Sequence, residues 1–344
     1  MQNFLDMCEI DKPVVQAGMA GGITTPEMVA AVAETGALGT IGAGYMNGPD
    51  LKNIIHSTKE LTNKPFAVNV FAVNLEAWSD DAGAMQTFLE TYRKTLGIAP
   101  GERSVKIQDY LAEKIDVIIE EAIPIVTTAF GVLPPEMIAR LKRHDVVLIG
   151  MATTLGEASE LEEAGYDAIV AQGVEAGGHR GTFDVNTYSF GSQISLHVLL
   201  QELLNTVNVP VIAAGGIYHK SQVEALLTMG ASAVQIGTRF LMAAEAGTNT
   251  AYRQALIRAD THDTVITKVF SGRPARAIRN QFVDEVEASG IAPLPFPIQN
   301  QLTKPIRSVG KTKGIPDMQS LWAGQGVGAI RQEERAAEIV QSLV

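Results

Sequence analysis

The sequence predicts an α/β fold in which eight parallel strands, alternating with helices, close into a barrel. Eight short apolar segments recur along the 344 residues, and helical patterns separate them. The segments are rich in Val, Ile and Ala without polar alternation, which is typical of parallel strands covered on both faces. The count of eight favours a barrel over an open doubly wound sheet, and no G-x-G-x-x-G motif follows the first strand.

The predicted strands each end in small or polar residues. They span residues 14–19, 38–42, 66–71, 124–129, 146–152, 168–172, 209–214 and 233–237. The first helix is predicted to begin at Thr25-Pro26-Glu27, because Thr caps helices well and Pro fits the first turn. Several later helical patterns end at glycine, a common helix terminus.

Two connections are too long for a plain repeat of strand and helix. The connection after the third strand contains two predicted helices, and an irregular stretch follows the sixth strand. Long insertions of this kind are usually lids or binding loops. The repeat breaks down after about residue 271. We therefore expect residues 1–344 to form one domain, with a helical insertion at about 72–123 and a C-terminal cover at about 271–344.

Composition excludes several classes of protein. Hydrophobic residues make up 46% of the chain and charged residues 19%, so a large core is available. A net charge of −11 argues against a nucleic-acid partner, and the single cysteine, Cys8, excludes an intrachain disulfide. No apolar run approaches the ~20 residues of a membrane span, and the amino terminus carries acids where a signal peptide would carry lysines. We expect a cytoplasmic protein without a membrane partner, and a homo-oligomer remains possible.

Residues 168–183, AIVAQGVEAGGHRGTF, carry the strongest functional signal. A buried strand ends at Gln172 and leads into a glycine-rich loop around His179. Small neighbours leave the imidazole unshielded and let the backbone approach a ligand closely. A lone histidine is more often a solvated residue of a surface turn or a structural one. Its place after a barrel strand, where such folds carry their active sites, favours a catalytic role.

Glycines also follow the seventh and eighth predicted strands. The seventh ends in Gly215-Gly216, and the eighth ends in Gln235-Ile236-Gly237-Thr238. Loops at these two places in a barrel often bind phosphate through backbone N–H groups, and Thr238 would add a hydroxyl donor. Each could be an ordinary tight turn, but the two together favour a phosphate-bearing ligand.

Three amides lie within or at the ends of predicted strands. They are Asn69, Gln172 and Gln235. A buried amide costs ~1–3 kcal/mol unless it is hydrogen-bonded, so each either pairs within the barrel or faces a ligand. Since no cluster of carboxylates or histidines accompanies them, we expect a hydrogen-bonding ring system and no metal. Gly18-Met19, at the end of the first predicted strand, would bring small residues and bare backbone to the same barrel mouth.

The remaining motif signals are weak. Arg273, Arg276 and Arg279 form a short basic run, which we interpret as a solvated face. The chain has no G-x-S-x-G, Ser-x-x-Lys or H-E-x-x-H motif, so hydrolase mechanisms lack a nucleophile or a metal.

In combination and in order, six motifs resemble those of the bacterial nitronate monooxygenases, formerly called 2-nitropropane dioxygenases. The motifs are QAGMAGG, FAVNVF, GVEAGGHRG, VPVIAAGGI, GASAVQIGTRFL and LWAGQ. The resemblance covers nearly the whole chain. Flavin-dependent enoyl-ACP reductases share most of these motifs. The long insertion after FAVNVF and the LWAGQ segment look more like the monooxygenases.

The resemblance implies a TIM-type barrel that binds FMN. By resemblance, contacts to the flavin and its phosphate come from Asn69, Gln172, Gly177, Gly215 and the run from Gln235 to Thr238. His179 would be the catalytic residue, either as a base toward a neutral nitroalkane or as a donor that holds the nitro oxygens. The implied reaction oxidises an alkyl nitronate, for example propionate 3-nitronate, with dioxygen to a carbonyl compound and nitrite.

Two other functions stay open from the sequence. One is an NAD(P)H-dependent flavin reductase that acts on an enoyl thioester or a quinone. The other is a flavin-binding barrel without catalysis, which would have little reason to keep an unshielded histidine in a glycine-rich loop.

Overall fold

The computed structural model describes residues 3–344, and its centre is a sheet of eight parallel strands. Labelled β1 to β8 in chain order, the strands are Val14–Gln16, Gly39–Gly42, Phe66–Phe71, Ile125–Ala129, Val147–Ala152, Ala168–Gln172, Val211–Ala214 and Ala233–Ile236. From β2 to β8, each strand pairs with the next in chain order, and β8 pairs with β1. Leu38 completes the closure: its N–H donates to Val14 O (2.9 Å), and its carbonyl accepts from Gln16 N (2.8 Å). The predicted (β/α)₈ barrel is confirmed.

All eight predicted strands are present, and two of them, β1 and β7, are shorter than predicted by more than one residue, for local reasons. The ladder of β7 begins at Val211, since Pro210 has no N–H to donate. The ladder of β1 ends at Gln16, and the apolar residues that follow turn into the barrel mouth.

Seven helices pack on the outside of the barrel. Labelled α1 to α7, they are Pro26–Ala33, Gly48–Leu61, Leu111–Glu120, Pro135–Lys142, Leu155–Glu163, Leu196–Leu204 and Lys220–Met229. The predicted cap of α1 is present, because Oγ1 of Thr25 accepts from Met28 N at 3.1 Å. The main hydrophobic core lies between these helices and the strands.

A short amino-terminal helix, Phe4–Cys8, lies at one end of the barrel. Phe4 and Cys8 share a buried cluster with interior residues such as Val15 and Ile212. This end is therefore filled with apolar side chains.

The insertion after β3 contains more than the two predicted helices, Gly83–Leu96 and α3. A two-stranded antiparallel ladder, Ala77–Ser79 with Val105–Ile107, was not predicted. Each of these strands has only three residues, and the long loop between them hides the pairing in the sequence.

The chain after β8 folds into several helices and a small sheet, and we call this part of the chain the cover. Its α-helices are Thr250–Arg258, Gln281–Ala288, Ile298–Lys313 and Ala336–Gln341. Its 3₁₀ helices are Thr238–Met242, Thr261–Asp263, Pro316–Met318 and Gln325–Ala329. Strands Thr264–Thr267 and Ala275–Ile278 form an antiparallel sheet with a two-residue strand, Gly178–His179. We call Ile298–Lys313 the cover helix; its Leu302 and Ile306 share an apolar cluster with Leu89 of the insertion. No helix within residues 3–344 is long and apolar enough to span a bilayer.

Candidate active site

A cavity of about 880 Å³ opens at the carboxyl ends of the barrel strands, where the insertion and the cover meet. All twelve residues that the sequence predicts for the site line it: Gly18, Met19, Asn69, Gln172, Gly177, His179, Gly215, Gly216, Gln235, Ile236, Gly237 and Thr238. The structure thus brings these residues together, although they come from five strands and their loops. Their individual roles remain predictions.

The turns after β7 and β8 present unpaired donors to this cavity. Gly215 (φ +134°) and Gly216 (φ +66°) adopt conformations that L-residues rarely take. Among residues 3–344, no acceptor pairs with their backbone N–H groups, nor with those of Thr238 and Arg239. Oγ1 of Thr238 accepts from Gly324 N (2.9 Å) and keeps its own proton free to donate. Backbone and hydroxyl donors arranged in this way suit an anionic group such as a phosphate.

Gly177 is a glycine for a reason that the sequence does not reveal. A Cβ at this position would lie 2.3 Å from the backbone N of Gly324, so the cover packs directly on the loop after β6. A side chain larger than hydrogen would push the cover away from the cavity.

The three amides are held differently. Nδ2 of Asn69 donates to Oγ1 of Thr127 on β4 (2.8 Å), which leaves its carbonyl oxygen without a protein donor in the described chain. Gln172 instead holds the histidine loop: its Nε2 donates to His179 O (3.1 Å), and its Oε1 accepts from Gly181 N (2.8 Å). Gln235 lines the cavity from β8. Gln172 therefore positions His179, a role that the sequence did not predict.

His179 does not lie in a free loop. Gly178–His179 pairs antiparallel with Ala275–Arg276 of the cover, so its backbone is fixed on both sides. The expectation of an unshielded imidazole is wrong, because aromatic rings from other segments surround it. Ring centroids lie 5.1 Å away for Trp322, 5.7 Å for Phe130 and 6.1 Å for Phe296. The glycines next to His179 make room for these rings.

The imidazole is neutral at physiological pH. Burial, together with the positive charges of Arg273 and Arg307, lowers the pKa of His179 to about 3. Nε2 lies 2.8 Å from Oγ of Ser271, whose hydroxyl also has the carbonyl of Arg273 within 3.1 Å. The Ser271 proton can go to either acceptor, so its orientation selects the imidazole tautomer. When the Ser271 hydroxyl donates to Arg273 O, its oxygen accepts from the Nε2–H of His179, and the bare Nδ1 is a base. When the hydroxyl donates to a bare Nε2, Nδ1 carries the hydrogen and donates.

The interpretation of the arginine run as a solvated face is wrong for two of its three members. Arg273 and Arg276 are buried, whereas Arg279 is exposed and pairs with Asp284 and Glu287. Arg273 stacks on Phe130, with Cζ 4.0 Å from the ring centroid. Arg276 lies in the strand Ala275–Ile278, which is covered by a partner strand on each side, and Arg273 precedes this strand by two residues.

Several residues beside His179 were missed by sequence reasoning. Ser271, Arg273 and Trp322 lie in segments that the sequence marks as unusual, SGRPARAI and LWAGQ, and this is the signal that could have found them. The sequence did not indicate that Arg307 lines the cavity, because an arginine in a helix rich in Lys and Gln is typical of a solvent-exposed face. No group of His, Cys, Asp and Glu within the described chain is arranged to hold a metal ion.

The fold and the site together define the class of protein. It is an α/β barrel whose cavity combines a neutral histidine with unpaired backbone and hydroxyl donors that suit an anion. A family model described as "Nitronate monooxygenase" matches residues 2–344. The chain belongs to the nitronate monooxygenase family and is an oxidoreductase; the family name denotes action on a small molecule, a nitronate, with oxygen.

Similar proteins agree with this family. A "Probable nitronate monooxygenase" of Staphylococcus aureus is 42% identical over 325 residues, covering 93% of this chain and 90% of the relative. One of Staphylococcus saprophyticus is 36% identical over 339 residues, covering 98% and 95%. Among solved structures, nitroalkane oxidase from Streptomyces ansochromogenes superposes with a TM-score of 0.90 at 36% identity, covering 98% of this chain and 96% of that one. FabK from Thermotoga maritima has a TM-score of 0.78 at 29% identity, covering 100% and 95%.

Proposed function

We propose that this protein uses FMN to oxidise alkyl nitronates with dioxygen, and that a carbonyl compound and nitrite are the products. One observation carries the proposal: a neutral histidine lies beside two guanidinium groups in a cavity that also offers a cradle for a phosphate. A nitronate is already deprotonated, so its oxidation needs no base of ordinary strength. The two positively charged guanidinium groups also favour an anionic substrate.

The cavity residues fit FMN. The backbone N–H groups of Gly215, Gly216, Thr238 and Arg239, with the hydroxyl of Thr238, would hold the phosphate, since none of these donors has a protein acceptor within residues 3–344. The free carbonyl oxygen of Asn69 and the amide of Gln235 would meet the polar edges of the ring. Bound FMN would supply the redox chemistry, while the protein supplies position and charge.

His179 would orient the substrate. When Ser271 donates to Nε2, the proton on Nδ1 can be donated to an oxygen of the nitronate. The neutral imidazole does this without adding a charge that Arg273 and Arg307 would repel. In the other tautomer Nδ1 could remove a proton from a neutral nitroalkane. The low pKa makes it a weak base, so we expect nitronates to react faster than nitroalkanes.

The test is aerobic turnover of propionate 3-nitronate. The FMN-loaded protein should consume oxygen and release nitrite in proportion to the nitronate used. The apoprotein, and FMN without protein, should remain at the background rate. Equal nitrite release with and without loaded protein would refute the proposal.

A second candidate is an NAD(P)H-dependent flavin reductase. Lys106, Lys304 and Lys311 line the cavity, and within residues 3–344 none has a carboxylate within 4.0 Å. Such a basic rim would suit the phosphates of a dinucleotide, and FabK shares this fold. Flavin reduction by NADH or NADPH, without reduction by nitronate, would favour this alternative.

A further inference from the structure

Arg307, on the cover helix, is fixed within the cavity by its own helix. Its Nε donates to Oγ1 of Thr303 (3.1 Å), and its Nη2 donates to both the backbone oxygen and Oδ1 of Asn300 (2.8 Å each). Thr303 is anchored in turn, since its hydroxyl donates to the carbonyl of Phe270, next to Ser271. The same segment therefore positions Arg307 and the hydrogen-bond partner of His179.

The charge of Arg307 is not neutralised by the protein. All of its hydrogen-bond acceptors are neutral, Nη1 has none among residues 3–344, and no carboxylate there lies within 4.0 Å. Other arginines of the chain differ: Arg239 forms an ion pair with Glu334, and Arg253 pairs with Glu333. A partly buried cation without a counter-ion is costly unless an anion joins it.

The positive charge of Arg307 acts on two other residues that line the cavity. It lowers the pKa of His179, and it partly offsets the rise that burial causes in the pKa of the Tyr45 phenol. The basic residues that line the cavity together with Arg307 are Lys106, Lys114, Arg239, Lys304 and Lys311, and one acid, Asp50, lines it too. Positive side chains outnumber the acid, so the cavity attracts anions.

We propose that Arg307 forms a subsite for the negatively charged O–N–O group of the substrate and sets the preference for nitronates over neutral nitroalkanes. The proposal rests on nitronate oxidation as the proposed function. Nη1 of the guanidinium donates to a nitronate oxygen. The charge-assisted bond favours the anion over the neutral nitroalkane by about 10- to 100-fold.

Three variants test this subsite. Arg307→Leu removes the charge and the donors, Arg307→Lys keeps the charge, and Arg258→Leu removes an exposed positive charge outside the cavity. We expect Arg307→Leu to lower kcat/KM for propane-2-nitronate about 10- to 100-fold, while kcat/KM for 2-nitropropane changes less than about threefold. Arg307→Lys should retain part of the preference, and Arg258→Leu should behave as wild type. An unchanged ratio of the two substrates in Arg307→Leu would overturn the subsite.

A binding measurement separates this subsite from the proposed function. Nitrite has the same O–N–O group and negative charge, and calorimetric titration of the FMN-loaded protein measures its affinity without turnover. We expect binding to wild type and a loss of about tenfold or more in Arg307→Leu. If wild type binds nitrite through Arg307 but oxidises no nitronate, the proposed function fails and the subsite stands. Absent binding to wild type, or equal binding to a folded Arg307→Leu, overturns the subsite.

Discussion

Nε2 of His179 lies 2.8 Å from Oγ of Ser271, although the two residues are 92 positions apart. The contact joins the loop after β6 to the C-terminal cover, and the pairing of Gly178–His179 with Ala275–Arg276 runs beside it. The cover is therefore part of the candidate active site and also covers it. Changes in the cover should affect chemistry at His179 and not only access to the cavity.

Replacement of His179 by Asn should separate its two roles. Loss of the contact to the nitronate should lower kcat/KM for nitronates about 10- to 100-fold. Loss of a base should lower turnover of neutral nitroalkane by about 10²- to 10⁴-fold. FMN content should stay near that of wild type, because the phosphate cradle lies on other strands. Wild-type rates on both substrates would remove His179 from the mechanism.

A carboxylate placed in the phosphate cradle should expel FMN. Gly237 is the best position, because its φ of −111° suits any residue and a Cβ there would meet only Cβ of Ala17, at 3.7 Å. Gly237→Asp should weaken FMN binding at least tenfold through charge repulsion, whereas Gly237→Ala should retain it. Gly215 is less suitable, since its φ of +134° would strain any variant. Full flavin content in purified Gly237→Asp would place the phosphate elsewhere.

FMN should be bound without a covalent bond. The single cysteine, Cys8, is buried at the filled end of the barrel and does not line the cavity. His179, which lines the cavity, has its Nε2 in contact with Ser271. Acid denaturation of the yellow protein should release all the colour into the supernatant. Colour that stays with the precipitate would contradict the prediction.

His179 should also make the protein sensitive to acid. Its pKa is about 3 when folded, against an ordinary value of 6.5, so between these pH values the unfolded state binds a proton that the folded state excludes. This contribution to the free energy of unfolding is present above pH 6.5 and declines as the pH falls toward 3. Denaturant titrations across this range should show a smaller loss for His179→Asn than for wild type. His197→Asn, at an exposed position, is the control and should follow wild type; identical slopes for all three would contradict the burial of His179.

The features that could be predicted from the sequence are local ones. The strands were found because each is a continuous apolar run, and the turns at Gly215-Gly216 and Gln235–Thr238 because glycine marks them at the ends of those runs. His179 was found because glycines mark the loop that follows the sixth apolar run. The rest of the site depends on segments far apart in the chain. Neither the ring of Trp322 beside His179 nor the burial of Arg273 follows from a local pattern.

The most direct test of nitronate oxidation is anaerobic mixing of the FMN-loaded protein with one electron donor at a time. A nitronate alone should decrease the flavin absorbance during the mixing experiment. Admission of oxygen should then restore the absorbance as nitrite appears. NADH and NADPH at the same concentration should leave the spectrum unchanged. Bleaching by NADH or NADPH, with no response to the nitronate, would contradict the account and favour the reductase.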